Sequence, residues 1–434
     1  MDELMSKTLR VAIAGLGTVG AETVRLLTKR RTIISSHAGR PVALVAVSAN
    51  SKSKDRGLDL NGIDWADDPL ALAMRDDVDV VCELIGGSDG VAKNVVEAAI
   101  ASGKSVVTAN KAMLAHYGTE LASKAENCGV ILAYEAAVAA GIPIIRAVRD
   151  GLVANELSRV YGIFNGTSNY ILTAMHESGR DFNEVLAEAQ ELGYTEGDPT
   201  CDIDGIDAGY KLSLLSALAF GHTVDFKAVD IEGIRSISAI DIAYAEKFGY
   251  RIKLLGFAEK TNDGIRQRVH PCMVAKDTLI AKVEGVFNAI IVDGESVGAT
   301  LHYGRGAGAG PTASAVISDI IEIALGRGTP VFGLPVDKLF VSQKARQELM
   351  RCRYYLRVGV IDRPGVLTHV RNIMSNQDVS MDLFIHNDYN QRERMLLVFI
   401  IHEAEEKLLR KAITEIVNLN DDQKVTVMIR IVDL

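Results

Sequence analysis

The sequence of 434 residues predicts an α/β protein built from three consecutive units. In residues 1–150, short apolar runs typical of buried strands alternate with helical stretches, which indicates a parallel sheet covered by helices. Residues 151–304 contain longer runs with strand-like alternation, which favour an α+β unit with helices on one face of a sheet. After a linker at 329–350, residues 351–434 follow the order strand, helix, strand, strand, helix, strand, the ferredoxin-like split βαβ arrangement.

Composition and charge argue against several classes of partner. Hydrophobic residues make up 48% of the chain, the formal net charge is −9, and no basic stretch is interleaved with aromatic residues, so we expect no nucleic-acid partner. No apolar run approaches the roughly 20 residues that span a bilayer, and residues 1–10 lack the apolar core of a secretory signal. The cysteines are odd in number, scattered and never in a CxxC pair, which favours a cytoplasmic protein without disulfides or a zinc site. They are Cys82, Cys128, Cys201, Cys272 and Cys352.

A glycine motif follows the first predicted strand, residues 9–14. GLGTVG at residues 15–20 stands between this strand and a helical stretch at 21–28, which is the context in which GxGxxG binds a dinucleotide. We therefore expect residues 1–150 to form a Rossmann-like NAD(P)-binding unit. A glycine-rich turn without a ligand is the alternative.

Each position of the motif has a physical role. Gly15 permits the tight turn, Gly17 lets the backbone approach a pyrophosphate, and Gly20 lets helix and strand pack closely. The N–H groups at the start of the helix, near Thr18 and Val19, would face the phosphates.

The end of the second predicted strand, residues 42–48, bears on the choice of coenzyme. An acid is expected there in a protein that prefers NAD. Asn50 and Lys52 follow instead, with Lys54 and Arg56 just beyond. The hydroxyls of Ser51 and Ser53 and these cationic side chains are suited to bind a 2′-phosphate, so NADP is favoured. An ordinary exposed basic loop is the alternative.

Three more strands are predicted in the first unit, at residues 78–85, 105–108 and 130–134. In open α/β sheets, ligands lie at the carboxyl ends of the strands, where Thr108 and Lys111 of the segment TANK fall. We expect both residues to contact the cofactor. An ordinary surface lysine is the alternative for Lys111.

A glycine-rich loop at residues 303–312 precedes a long apolar helix predicted at 313–325. Such a loop so late in the chain suggests that residues of about 305–328 return to complete the first unit. Its N–H groups, including that of Gly308, could then face the cofactor or substrate. A flexible hinge is the alternative.

The densest cluster of charge lies at residues 191–211. Asp207 and Lys211 are four residues apart, so they share a face if Asp204 or Gly205 opens a helix. A lysine held beside an aspartate at the start of a buried helix can transfer a proton. A solvated acidic loop with one helix ion pair is the alternative. The charged residues are Glu196, Asp198, Asp202, Asp204, Asp207 and Lys211.

These segments together resemble the homoserine dehydrogenase family, and the resemblance spans the whole chain. The blocks that carry it are GLGTVG, ELIGG, TANK, EAAVAAGIP, GIFNGTSNYIL, LGYTEGDPTCDIDGIDAGYK and GRGAGAGPTASAV, in the family's order. The acidic block is the most specific of them. The last segment resembles an ACT domain, as in the monofunctional bacterial form.

The resemblance implies reversible NAD(P)H-dependent reduction of L-aspartate 4-semialdehyde to L-homoserine, a step in threonine, methionine and isoleucine biosynthesis. It implies that Lys211 donates a proton to the carbonyl oxygen and that Asp207 orients Lys211. Lys111 would contact substrate and cofactor, and Glu196 and Asp202 would hold the substrate ammonium group.

The resemblance also implies a monovalent cation such as Na⁺ or K⁺. The backbone carbonyls of Glu135, Val138, Ala140 and Ile142 would bind it, an expectation that rests on resemblance alone. NADP-preferring relatives often have arginine where Asn50 stands, so NAD remains an alternative coenzyme.

The C-terminal unit is expected to regulate the enzyme. In ACT-like modules the effector lies near the turn after the first strand, often between two copies, and the chain is expected to form a homodimer or homotetramer. The corresponding residues here are Asp362, Gly365, Val366 and Leu367. L-threonine is the favoured effector because the pathway from homoserine leads to it; a dimerisation module without a ligand is the alternative.

Two other functions are less consistent with the sequence. Aspartate-semialdehyde dehydrogenase needs a nucleophilic cysteine, and Cys201 lies among carboxylates that would raise its pKa. A non-enzymatic sensor of nucleotide and amino acid would have no need to keep Lys111, Asp207 and Lys211 together.

Overall fold

The computed structural model describes residues 7–195, 197–346, 350–386, 394–418 and 426–434. They form a six-stranded parallel sheet and a ten-stranded mixed sheet, which confirms the predicted α/β class. In these ranges, no helix is long and apolar enough to cross a membrane.

The first sheet contains the five predicted strands and one short addition, β3. Its elements are β1 Leu9–Ala14, α1 Thr18–Lys29, α2 Arg31–Ala38, β2 Val42–Ser48, β3 Asp64–Trp65, α3 Pro69–Met74, β4 Val80–Glu83, α4 Val91–Ala101, β5 Ser105–Thr108, α5 Lys111–Cys128 and β6 Leu132–Ala133. The strand order is β3-β2-β1-β4-β5-β6, with every pair parallel. The central strand β1 is almost entirely buried, which explains why it is a continuous apolar run.

The middle of the chain forms an antiparallel sheet with helices on one face. Its elements are α6 Glu135–Val138, α7 Ile144–Arg146, β7 Leu157–Ile163, α8 Gly166–Ser178, α9 Phe182–Glu191, α10 Thr200–Ile203, α11 Ile206–Phe220, β8 Asp230–Ile231, α12 Ala239–Lys247, β9 Tyr250–Thr261, β10 Gly264–Ala275, β11 Phe287–Gly294 and β12 Gly298–Arg305. The strand order is β12-β11-β7-β9-β10, and β8 pairs with β10. Helix α11 is buried along most of its length, and its leucines pack on this sheet in the main hydrophobic cluster.

Strand β12 was not predicted. The sequence analysis assigned Tyr303 and the residues after it to a glycine-rich loop, but β12 continues to Arg305 and pairs with β11 along its length. It is an edge strand with mostly exposed side chains, so it lacks the apolar alternation that marks a half-buried strand.

The helix after this loop, α13 Ala309–Ala324, begins four residues before the predicted start. Pro311 falls in its first turn, where a missing N–H costs little. The helix packs against α1, and Val316 and Ile320 join Val11 and Val24 in one buried cluster. The chain thus returns to the parallel sheet, which it left after Ala133.

The last elements follow the predicted order. They are β13 Arg351–Ile361, α14 Val366–Asn376, β14 Met381–His386, β15 Arg394–Glu405, α15 Glu406–Asn418 and β16 Val427–Val432. Their strand order is β16-β13-β15-β14. A parallel pair of β10 with β16, in which Cys272 lies opposite Arg430, makes this sheet continuous with the middle one. The linker composition before residue 351 does not indicate this pairing.

Two buried ion-pair groups reinforce the junction. Arg357 Nε donates to Asp241 Oδ1 at 2.7 Å. Arg430 Nη1 donates to Glu232 Oε2 at 2.9 Å, and Arg430 Nη2 donates to Glu406 Oε1 at 2.6 Å. Because removing one partner of a buried pair leaves an uncompensated charge, these contacts fix the C-terminal unit against the middle one.

Candidate active site

A buried aspartate–lysine pair lies at the start of α11. Gly205 caps the helix, Asp207 lies in its first turn, and Lys211 follows one turn later. Lys211 Nζ is 2.6 Å from Asp207 Oδ2 and donates to the carbonyl oxygen of Phe164 at 2.9 Å. Asp207 and Lys211 are 4% and 7% exposed, so this is not a solvated helix ion pair.

Helix α5, which follows strand β5 of the parallel sheet, supplies a second ammonium group to the same carboxylate. Lys111 Nζ lies 3.3 Å from Asp207 Oδ1. Burial raises the pKa of Asp207, but the charges of Lys211 and Lys111 outweigh burial and hold that pKa well below its usual range. The charge of Asp207 is in turn the main reason why the pKa of Lys111 is raised. Asp207 is therefore ionised and Lys111 is protonated at neutral pH.

Asn165 connects Asp207 to a second acid, Asp202. Its Nδ2 donates to Asp202 Oδ1 at 2.7 Å and to Asp207 Oδ2 at 2.9 Å. Its Oδ1 accepts from the N–H of Ser168 and so caps α8. Burial and the charge of Asp207 raise the pKa of Asp202. The sequence analysis did not assign Asn165 to the site, although asparagine before a helix is a recognisable N-cap signal.

The acidic block divides into an inner and an outer part. Asp202 and Asp207 face the lysines, whereas Asp204 Oδ2 pairs with Arg235 Nη2 at 3.2 Å on the surface. Glu196, which the sequence analysis places on the substrate ammonium group, lies outside the described residues. Only the inner part of the block therefore contributes to the candidate active site. The outer part is consistent with the alternative of a solvated loop.

Asn288 on β11 supports Lys211 from the other side. Its Nδ2 donates to the carbonyl oxygen of Phe164 at 2.9 Å, the same oxygen that accepts from Lys211. Its Oδ1 is buried and has no hydrogen-bond partner among the described residues. A Cβ at Gly306 would lie 2.0 Å from Asn288 Nδ2, so the glycine-rich loop reaches the site. No pattern in the sequence singles out Asn288.

A buried chain of hydrogen bonds sets the position of Lys111. Asn110 caps α5 by accepting from the N–H of Met113 at 3.0 Å, which makes Lys111 the first helical residue. The N–H of Asn110 donates to Thr108 Oγ1 at 3.0 Å, and that hydroxyl donates to Glu83 Oε2 at 2.7 Å. Because the Thr108 side chain is fully buried and engaged in these bonds, only its backbone could contact a cofactor.

Glu83 also closes the end of its own strand. Its Oε1 accepts from the N–H groups of Ile85 at 2.8 Å and Gly86 at 3.1 Å. One buried carboxylate therefore holds together the loops that follow β4 and β5. The sequence analysis noted Glu83 inside the strand but gave it no role.

A cleft of about 450 Å³ lies at the carboxyl ends of β1, β2 and β4. Gly15 has φ +102°, and a Cβ there would lie 2.4 Å from Leu84 O. A Cβ at Gly20 would lie 1.9 Å from Gly15 O, whereas one at Gly17 would meet nothing within 4 Å. The space beside Gly17 is open, as the approach of a pyrophosphate requires. Thr18 and Val19 form the first turn of α1 beside it.

The loop after β2 forms one wall of this cleft. Asn50, Lys54 and Arg56 line it, and Lys52 is exposed on the same loop. Arg56 Nε donates to Leu16 O at 3.0 Å, which ties this loop to the glycine motif. The predicted cationic loop therefore lies beside the glycine turn.

The segment expected to bind a cation comprises α6 and the turn between α6 and α7. Ala140 has φ +45°, an uncommon conformation for a residue with a Cβ. The Glu135 carboxylate accepts from the N–H groups of Ile145 and Arg146. Burial and the nearby Asp319 raise the pKa of Glu135 to about 7. Val138 and Ile142 are buried beside them.

Two of the remaining assigned positions are glycines that cap helices. Gly308 caps α13, and Gly365 caps α14 just after the exposed Asp362, with Val366 and Leu367 partly buried in the first turn. Burial, followed by the charges of Asp207 and Asp202, raises the pKa of Cys201, so Cys201 is a poor nucleophile.

Comparison with known families gives two matches. A model described as "Homoserine dehydrogenase, NAD binding domain" matches residues 15–135, and one described as "Homoserine dehydrogenase" matches residues 143–321. Together they cover both sides of the lysine–aspartate cluster.

Similar proteins align over nearly the whole chain. A homoserine dehydrogenase of Neisseria gonorrhoeae is 44% identical over 434 residues, covering 99% of each chain. One of Pseudomonas aeruginosa is 40% identical over 435 residues, covering 99% of this chain and 100% of the relative. The solved homoserine dehydrogenase of Thiobacillus denitrificans has a TM-score of 0.91 at 41% identity, covering 99% of each chain. A hyperthermophilic archaeal homoserine dehydrogenase in complex with NADPH has a TM-score of 0.62 at 26% identity, covering 74% of this chain and 98% of that one.

Proposed function

Because the chain belongs to the homoserine dehydrogenase family, an NAD(P)-dependent oxidoreductase, we propose that Lys211 is its proton-transfer group. Reduction of L-aspartate 4-semialdehyde to L-homoserine requires a hydride at the aldehyde carbon and a proton at its oxygen. A bound reduced nicotinamide coenzyme supplies the hydride. Lys211 Nζ donates the proton, and in the reverse direction it accepts the proton of the homoserine hydroxyl.

The shared contact of two lysines with one buried carboxylate carries this proposal. Asp207 holds Lys211 at 2.6 Å and Lys111 at 3.3 Å, so both ammonium groups converge between the two units. Phe164 O fixes Lys211 from a second direction. A lysine with defined contacts meets the geometric demand on a general acid better than a mobile surface lysine. Lys111 is proposed to contact both substrate and cofactor.

Asp202 and Glu196 are proposed to hold the substrate ammonium group. Asp202 is oriented by Asn165 at 2.7 Å, and an ammonium ion beside it would offset the effect of Asp207 on its carboxyl group. Glu196 joins this proposal on resemblance alone.

NADP is the proposed coenzyme, with NAD as the alternative. The open space at Gly17 is suited to the pyrophosphate, and the wall with Asn50, Lys54 and Arg56 is suited to the adenosine end. Lys52 could reach a 2′-phosphate from the same loop. Gly308 and the backbone of Thr108 complete the proposed contacts.

A monovalent cation is proposed at the carbonyls of Glu135, Val138, Ala140 and Ile142. The left-handed conformation of Ala140 costs about 1–3 kcal/mol, and a cation on neighbouring carbonyls would offset that cost. In the described ranges, no group of three or more His, Cys, Asp or Glu side chains could hold a metal, so backbone oxygens are the donors that this loop can offer.

Threonine is proposed as an effector at the turn with Asp362, Gly365, Val366 and Leu367, and a homodimer or homotetramer is the expected assembly. The exposed turn and the cap at Gly365 would present N–H groups to a carboxylate.

One assay tests the function as a whole. The reduction of NADP and of NAD in the presence of L-homoserine is followed at 340 nm with and without millimolar L-threonine, and the Lys211→Met variant serves as the control. Homoserine-dependent turnover that the variant lacks is expected. Equal turnover by the variant would overturn the role of Lys211.

A further inference from the structure

A buried arginine on the opposite face of the middle sheet is incompletely paired. Arg268 on β10 is 5% exposed, and its Nε and Nη1 atoms have no hydrogen-bond acceptor among the described residues. Arg430, equally buried, donates four hydrogen bonds to Glu232 and Glu406. The same junction thus satisfies one buried guanidinium group fully and leaves another unsatisfied. A buried donor without a partner destabilises the folded state.

Among the described residues, the one carboxylate within 4 Å of the Arg268 guanidinium group is shared with a second arginine. Glu259 Oε2 lies 3.7 Å from Arg268 Nη2 and 3.6 Å from Arg266 Nη1, and both distances exceed that of a hydrogen bond. The Phe257 ring lies 5.2 Å from the Arg268 Cζ and gives a cation–π contact, which is weaker than an ion pair. Burial lowers the pKa of Arg268, in keeping with this shortage of negative charge.

Arg268 borders a cleft of about 530 Å³ between the middle sheet and the C-terminal unit. Arg353 on β13 lines the other wall, and no ion pair to it is found in the described part of the chain. Two other lining arginines are occupied: Arg159 Nε pairs with Asp293 at 2.8 Å, and Arg351 Nε pairs with Glu403 at 3.2 Å. The cleft therefore presents two guanidinium groups with unused donor capacity.

We propose that this cleft binds a small organic carboxylate, with Arg268 and Arg353 as the groups that recognise it. A guanidinium fork matches the two oxygens of a carboxylate, and a bound carboxylate would supply acceptors that Arg268 lacks. Acidic residues, Glu259, Glu403 and Asp433, also line the cleft, so the proposed ligand is recognised by these two arginines and not by a net positive charge of the cleft. The site lies on the sheet face away from α11, because Val269, the next residue of β10, packs in the main cluster with that helix. It is distinct from the proposed effector turn at Asp362, and the proposal does not depend on the role of Lys211.

The effect of Arg268→Met on the melting temperature should depend on whether a small carboxylate is present. Arg268→Met removes the under-compensated charge while keeping much of the side-chain volume. In buffer without small carboxylates, the variant should melt at the same temperature as the parent or higher. With 10 mM succinate or 10 mM L-alanine, the parent should gain at least 3 °C in Tm and the variant less than 1 °C. The exposed Arg327→Met variant should respond as the parent does.

Succinate represents carboxylates without an ammonium group, and L-alanine represents zwitterions. A gain in Tm with either one supports the site. Inorganic phosphate at the same ionic strength is the third probe. A response to phosphate alone, no response to any probe, or equal gains for the parent and Arg268→Met would overturn the proposal. If Arg268→Met does not fold, the same measurement is made on Arg353→Met, whose side chain is partly exposed. An unchanged gain in that variant would overturn the proposal.

Discussion

Asp207 forms ion pairs with Lys211 at 2.6 Å and with Lys111 at 3.3 Å, through different carboxylate oxygens. Lys211 lies on the same helix as Asp207, and Lys111 begins α5, which follows strand β5 of the parallel sheet, so this one side chain joins the two halves of the site.

Lys211→Met should reduce kcat for homoserine oxidation by about 10²–10⁴-fold, because the general acid–base group is lost. The variant should keep its fold and its affinity for NADP, measured by circular dichroism and fluorescence titration. Lys227→Met, at an exposed lysine of the same unit, is the matched control. A kcat for Lys211→Met within threefold of the parent would refute the assignment.

Asp207→Asn should change the pH dependence of stability. The pKa of Asp207 is depressed in the folded state by its two lysines, despite burial. Its stabilisation is therefore fully present above the unfolded pKa of about 4 and is lost as pH falls toward the lower folded pKa. Urea unfolding at several pH values should show a parent-to-variant difference that is constant from pH 6 to 8 and shrinks below pH 4. A difference that grows as pH falls would contradict this.

Glu83→Gln should lower kcat by about 10–100-fold with little change in the KM for homoserine. A glutamine places an NH₂ group against donors that now face two carboxylate oxygens, so the loops carrying Lys111 should shift; a misplacement of about 1 Å can cost 10²-fold in rate. Glu97→Gln, on α4 and away from these loops, is the control. An unchanged kcat in Glu83→Gln would contradict the prediction. If Glu83→Asp is active and Glu83→Gln is not, the loops require a carboxylate at this position and not the full length of the glutamate side chain.

The coenzyme preference should depend on the loop after β2. The parent should use NADP at least as well as NAD, and Asn50→Asp should shift the ratio of kcat/KM toward NAD by tenfold or more, since an acid there accepts from the ribose hydroxyl and repels a 2′-phosphate. Lys54→Ala should weaken NADP more than NAD. A parent enzyme that favours NAD tenfold would show that Lys52, Lys54 and Arg56 do not read the phosphate.

Millimolar L-threonine should inhibit the full-length enzyme, and Asp362→Ala should relieve that inhibition while leaving activity without threonine unchanged. A coupling of about 1–3 kcal/mol corresponds to a roughly 5–150-fold change in apparent affinity. Asp337→Ala, at an exposed residue outside the C-terminal unit, is the control. Inhibition that is absent in the parent, or equal in both variants, would refute the effector site.

Point substitutions test regulation better than removal of the C-terminal unit. A chain cut before β13 would lose the whole C-terminal unit, including β16. Loss of β16 would leave the edge of β10 unpaired and would leave Glu232 and Asp241 without their arginines. An inactive truncated chain would therefore say little about the effector.

The sequence alone determined the local parts of this molecule. The turn from β1 into α1 depends on glycine sterics within a few residues, and the spacing of Asp207 and Lys211 places them on one helical face. Both were correctly predicted, as was the order of elements in the C-terminal unit. The family followed from motifs whose order along the chain is itself sequence information.

Only the tertiary structure decided which distant residues meet. The contact of Lys111 with Asp207, the amide of Asn165 between two carboxylates and the support from Asn288 all join segments far apart in the chain. The same holds for the pairing of β10 with β16 and for the unsatisfied Arg268. Periodicity and propensity describe neighbours along the chain, whereas these contacts depend on the packing of whole sheets, and no local pattern specifies which strand edge or helix start will face another.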